Sequence, residues 1–176
     1  MLYKKLHPAV ILNFLFLFII LLLSKIIKHP PNFTPLISLI IISSLLIKNK
    51  AILISNILLS MIVSDLIIGF YGGISISYLV FIIIAVTSDK IFKKINLIKI
   101  ICLGFYASML FYLTTTPLHL IFNNSNMISF KSLIYDYQNG FYFFLNTLSS
   151  TIIFNILFFY LLKNYNNKIF NSYAKS

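Results

Sequence analysis

The chain has no tryptophan, no arginine and no glutamate, a single cysteine, and only three acidic residues among 176. Each shortage removes a class of function. Cys102 alone builds neither an internal disulfide framework nor a multi-cysteine metal site. With glutamate missing, Asp65, Asp89 and Asp136 are the whole acidic inventory. There is no Gly-x-Ser-x-Gly elbow, and no Ser or Cys nucleophile with an identifiable His base. No enzymatic activity and no cofactor are therefore expected. His29, Asp65, His119 and Asp136 fall in no short ligand spacing such as His-x-x-x-His, so no metal site is expected either. All 14 basic residues are lysine. With the abundance of Ile and Asn, that reads as the mark of an AT-rich coding sequence.

What is present is apolar: 60% hydrophobic residues, 10% charged, and a mean hydropathy of +0.97. Long stretches are apolar all round, which only lipid or other buried helices accommodate. The fold class expected is all-α, a polytopic membrane protein with one transmembrane domain over residues 1–176 and the lipid bilayer as its first partner. Six helices are expected near 9–24, 35–50, 51–70, 74–89, 97–117 and 141–162. Several fall short of the ~20 residues that cross a ~30 Å hydrocarbon core. The purely apolar and serine portion of helix 2 ends at Ile47, so it spans only if Lys48 snorkels. Thr34 suits its N-cap and Pro35 its first helical position. Gly72 and Gly73 supply a tight turn before helix 4. The apolar stretch 9–24 runs into Lys25 with no Ala-x-Ala-like cleavage site, so an uncleaved first helix is expected rather than a signal peptide.

The net charge of +11 does not point to nucleic acid, because the lysines lie in short groups between apolar runs. Counted by connection, one side receives Lys4, Lys5, Lys48, Lys50, Lys90, Lys93, Lys94, Lys99, Lys163, Lys168 and Lys175; the other receives only Lys25, Lys28 and Lys131. That bias predicts cytoplasmic termini. Tyr71 and Tyr78 near the outer boundary read as interfacial anchors.

Asp65 is the only residue charged at neutral pH in the run 51–70. A charge at the bilayer centre costs at least about 2.5–3.5 kcal/mol, so it is expected to face a bundle interior or watery cavity. Three polar segments fall on the outer side. They are His29 to Pro35 with Asn32 and Thr34; the end of helix 3 from Ser64-Asp65 to Gly73; and the long connection 114–140, with His119, Asn123, Asn124, Asn126, Tyr135, Asp136 and Tyr137. Their convergence predicts a site opening to that side. Asn56, Ser60 and Ser64 share one face of helix 3, where interhelical hydrogen bonding is the expectation for Asn56 and Ser60. Ser108, Tyr112, Thr115 and Thr116 on helix 5, and Asn146, Ser149 and Ser150 on helix 6, either line a polar cavity or tighten packing.

The motifs Pro31-Asn32-Phe33-Thr34-Pro35, Ser64-Asp65 with Gly69-Phe70, Tyr135 through Phe143-Phe144, and Asn146-Thr147-Leu148 resemble an uncharacterised family of bacterial integral membrane proteins. That family is similar in size and layout to the substrate-binding S components of energy-coupling factor (ECF) vitamin transporters. The resemblance implies six helices, cytoplasmic termini, a place in the cell inner membrane, and a pocket formed by outer loops and the later helices. It also implies transmembrane and ATPase transporter subunits as partners. The Ala-x-x-x-Ala docking face of S components is replaced on helix 1, where Asn13 follows Ala9. The function expected is an S-component-like small-molecule binding subunit of an uptake transporter. Asn32, Thr34, Asp65, Tyr135, Asp136, Tyr137 and Asn146 would form or gate the pocket. The alternative is a structural or assembly subunit that binds a protein partner in cell-shape or envelope machinery.

Overall fold

A helix with no polar face has to be surrounded, and the stretch 36–46, apolar or serine at every position, is surrounded. The computed structural model describes residues 8–47, 49–70, 72–91, 96–118 and 129–165. Among these, the chain forms helices α1 (Pro8–Ile26), α2 (Leu36–Leu46), α3 (Lys50–Ile68), α4 (Ile74–Ile91), α5 (Leu97–Thr115) and α6 (Phe130–Tyr165). Ten of the eleven residues of α2 are buried, and α2 touches every other helix. The others form a shell around it, with α1 against α3 and α5 against α6 as the most extensive pairings.

The expected span 35–50 is shorter in the structure. At 11 residues α2 is about 16 Å long, roughly half of a hydrocarbon core. It stops because the next helix has its own start signal: the Asn49 side chain accepts from the amides of Ala51 at 3.0 Å and Ile52 at 3.3 Å. Lys50 then donates its ammonium to the carbonyl of Ser44 at 3.1 Å, satisfying an orphan carbonyl at the end of α2. At the other end Pro35 occupies the cap position itself, and Thr34 Oγ1 meets the Leu36 amide only at 3.4 Å. Gly73, at φ 84°, makes the turn into α4.

The last helix is longer than expected. Its 36 residues begin at Phe130, eleven before the predicted start, and extend over about 54 Å. About 20 residues suffice to cross a bilayer, so α6 overshoots. The surplus is its first three turns, which carry Lys131, Asp136, Gln138 and Asn139 ahead of the apolar remainder. These turns are fastened to α5 by reciprocal bonds: Tyr112 donates to the Tyr137 carbonyl at 2.5 Å and Tyr137 to the Leu113 carbonyl at 2.8 Å.

Three of the helices, α3, α5 and α6, are long and apolar enough to cross a membrane. Large apolar side chains such as Ile19, Leu59, Leu66, Leu79, Phe105 and Leu157 face outward. Serines, threonines, two asparagines and Asp65 are buried instead. That inversion is the distribution a helical bundle takes in lipid.

Candidate functional site

The shared face of α3 is buried throughout, with Asn56, Ser60, Ser64 and Asp65 all at 0% exposure. Ser60 and Ser64 do not reach across to neighbours, as Ser60 was expected to. Each bonds back to its own helix, to the carbonyls of Ile57 at 2.9 Å and Met61 at 2.8 Å. A serine that satisfies itself in this way presents only a small surface, which lets helices approach.

Asp65 cannot satisfy itself. Its two oxygens are taken by the Lys25 ammonium from α1 and the Tyr78 hydroxyl from α4, the latter at 2.5 Å. Lys25 also stands 6.0 Å from the centre of the Tyr78 ring, within cation–π range. The carboxylate thus ties three helices together. Tyr78, read as an interfacial anchor, is a partner of Asp65; Tyr71 lies outside the described residues.

A cavity of about 410 Å³ opens elsewhere, between the C-terminal end of α5, the first turns of α6 and the α1–α2 connection. Phe111, Tyr112, Phe143 and Phe144 supply its aromatic wall, and Thr115, Thr116 and Thr147 its hydroxyls. Asn32, Asp136 and Asn139 complete the polar side. The close approach of α5 and α6 depends on Gly140: a methyl there would sit 2.9 Å from Thr116 Cγ2 and 3.4 Å from Tyr112 Cε2.

The α1–α2 connection is held over this cavity by named contacts. Asn32 sits at φ 60°, a left-handed conformation that asparagine tolerates better than most residues. The Phe33 amide bonds the Pro30 carbonyl at 2.9 Å, closing the turn. Asn146 of α6 donates to the Pro31 carbonyl at 3.0 Å, and the Phe33 ring meets Phe154 edge-on with centroids 6.3 Å apart.

Of the residues singled out from sequence, Asn32 and Asp136 therefore line the cavity. Asn146 holds the connection, and Tyr137 lines an adjoining hollow of about 380 Å³ while bonding α5. Thr34 is half-buried at the start of α2 and outside the cavity wall. Tyr135, 63% exposed, lines neither hollow. Asp65 also stands outside the wall, because Lys25 and Tyr78 consume it rather than the Asn32–Thr34 loop. His119, Asn123, Asn124 and Asn126 lie outside the described residues. Among those described, no three His, Cys, Asp or Glu side chains gather into a metal-ligating group.

Asn139, Gly140, Phe143 and Thr147 were not selected from sequence. Their signal was present: at positions 136, 139, 140, 143, 144 and 147 they share one helical face, visible once Asp136 is placed on a helix.

The class that fold and site define among the described residues is an all-helical bundle with three helices long and apolar enough to cross a membrane and a polar-edged aromatic cavity near one end. A family model described as "Family of unknown function (DUF6580)" matches residues 4–172, and the chain belongs to that family. No curated protein and no solved structure matches it.

Proposed function

We propose that this is a multi-pass inner-membrane protein that binds a small molecule in the α5–α6 cavity and works as the S component of an uptake transporter does. The observation that carries this reading is the cavity itself. Its volume lies within the ~300–1,000 Å³ typical of small-molecule sites, and it combines apolar walls with a few convergent polar groups. It is formed by a helix connection and the last two helices, which is where the resemblance to S components puts a pocket. Asn32 and Asp136 would touch the ligand. Asn146 and Tyr137 would hold the two elements that enclose it, and Asp65 would act on helix placement rather than on cargo. The chain carries no phosphate-binding glycine loop, so energised uptake would require separate transmembrane and ATPase subunits.

The test is made on purified full-length protein. Mass spectrometry of the denatured sample should reveal a co-purified organic compound, or a vitamin and metabolite panel should raise the melting temperature. Identical melting with and without every compound, together with no co-purified molecule, would reject capture. Recovery of an envelope-synthesis or cytoskeletal partner in crosslinked pull-downs would then favour the assembly-subunit alternative.

A further inference from the structure

We infer that the cavity between α5 and α6 is loaded sideways from the adjoining lipid leaflet, and that its ligand is an amphiphile with an uncharged, hydroxyl-bearing head and a hydrocarbon tail. This rests on the reading of the cavity as a capture site and adds the chemical class of what is captured. The first argument is an opening in the bundle wall. Among the described residues α1 and α6 both pack on α2, yet their backbones do not approach each other. At the cavity end this opening is spanned by the α1–α2 connection, through the Asn146 bond to the Pro31 carbonyl and the Phe33–Phe154 contact. Phe143 shares a stripe of α6 with Asn146 and Phe154, lines the cavity and is 43% exposed, so the mouth faces this opening. Below the mouth the half-buried rings of Phe33, Phe154 and Phe158 form an apolar strip for a tail, with Phe154 and Phe158 stacked at 6.0 Å.

The second argument is height. Measured along α6 from Lys163, the charged end of its apolar span, Thr147 stands about 24 Å up and Phe143 about 30 Å. A hydrocarbon core is ~30 Å thick, so the mouth lies where headgroups begin, the level at which an amphiphile already holds its polar end. The third argument is hydrogen-bond polarity. Thr115 and Thr147 donate their hydroxyl hydrogens to their own helix, to the carbonyls of Phe111 at 2.7 Å and Phe143 at 2.9 Å. Their oxygens retain only acceptor capacity, which a ligand O–H satisfies and a phosphate does not. Among the described residues lining the cavity there is no lysine or histidine, so an anionic head would shed water without meeting a cation.

The test uses full-length protein in phosphatidylcholine nanodiscs and a monodecanoylglycerol that carries a photoreactive diazirine in its acyl chain, with adducts mapped by mass spectrometry. Adducts should concentrate on Phe33, Phe154 and Phe158. A tenfold excess of unlabelled monodecanoylglycerol should cut them about fivefold and leave adducts on outward-facing Leu79 and Phe105 unchanged. Its dimethyl ether, which has no donor, should compete about tenfold less well, and glycerol, which has no tail, should not compete. Asn139→Leu, at an exposed position of the wall, should weaken competition about fivefold. Competition by the dimethyl ether, decyl phosphate or decylammonium as strong as by the parent overturns the head assignment, as does undiminished competition in Asn139→Leu. Equal competition by glycerol overturns the amphiphile. Adducts spread over the outward faces and insensitive to the excess overturn sideways loading. Each of these failures reaches the capture reading only if co-purification and the metabolite panel come back empty too.

Discussion

Lys25 on α1 and Asp65 on α3 form an ion pair whose carboxylate is fully buried and whose ammonium side chain is 18% exposed. Removing one member leaves the other charged in a low-dielectric interior, a change that costs about 3–5 kcal/mol in buried pairs. Lys25→Ala and Asp65→Ala are each expected to lower the melting temperature sharply in detergent. Replacing both with apolar residues of similar volume, Lys25→Met with Asp65→Leu, should recover most of the loss. A double variant no better than the worse single one would show that Asp65 serves something other than this pair.

That pair marks how far the residues could be read unaided. Asp65 stands out as the lone charge of its run, and Lys25 was already placed on the same outer side. What hid the pairing was Lys25's position at the end of an apolar stretch, where a lysine reads as a snorkelling terminus. The start of α6 was hidden for a different reason. Residues 130–140 include Lys131, Asp136, Gln138, Asn139 and Gly140, a loop-like composition, and their helix is fastened by tyrosine bonds to α5 rather than by an apolar stripe. Membrane character, Asn32, Asp136 and the polar positions of helix 5 were legible because polarity against an apolar background is conspicuous. The aromatic wall was legible only in part: Tyr112 stood out on helix 5, whereas Phe143 and Phe144, though part of a family motif, carried no sign of lining a cavity in a segment so rich in phenylalanine.

Gly104 sets the separation of α5 and α6 one level below the cavity. A Cβ there would fall 2.7 Å from Asn155 Nδ2 and 3.2 Å from Thr151 Cγ2. Asn155 uses that same nitrogen to bond the Ile100 carbonyl at 3.0 Å, so it cannot move aside without losing the bond. Gly104→Ala is expected to destabilise by about 1–3 kcal/mol, the usual range for overpacking. Asn155→Ala in the same chain should relieve part of that cost. Thermal melts of both variants decide it, and an unchanged Gly104→Ala melt would mean the helices separate freely.

Ser108 Oγ and Thr151 Oγ1 are buried on α5 and α6 and have no hydrogen-bond partner among the described residues. A buried polar atom left unpaired costs about 1–3 kcal/mol. Ser108→Ala and Thr151→Val remove the polar atoms while nearly conserving shape, so each is expected to leave stability unchanged or raise it. A clear fall in melting temperature would show that bound water or ligand serves these hydroxyls, and would extend the polar site below the cavity floor.

Orientation decides whether the cavity can serve uptake at all. The proposed orientation, read from the lysine distribution, predicts Asn96 on the cytoplasmic side and Gln138, in the polar first turns of α6, on the outer side. Both positions are exposed, and the one native cysteine can be removed as Cys102→Ser to give a silent background. A membrane-impermeant maleimide applied to intact spheroplasts should label Gln138→Cys and spare Asn96→Cys until the membrane is permeabilised. The reverse pattern would turn the cavity toward the cytoplasm. A ligand would then be gathered from inside the cell, and uptake would give way to export or to a partner-binding role.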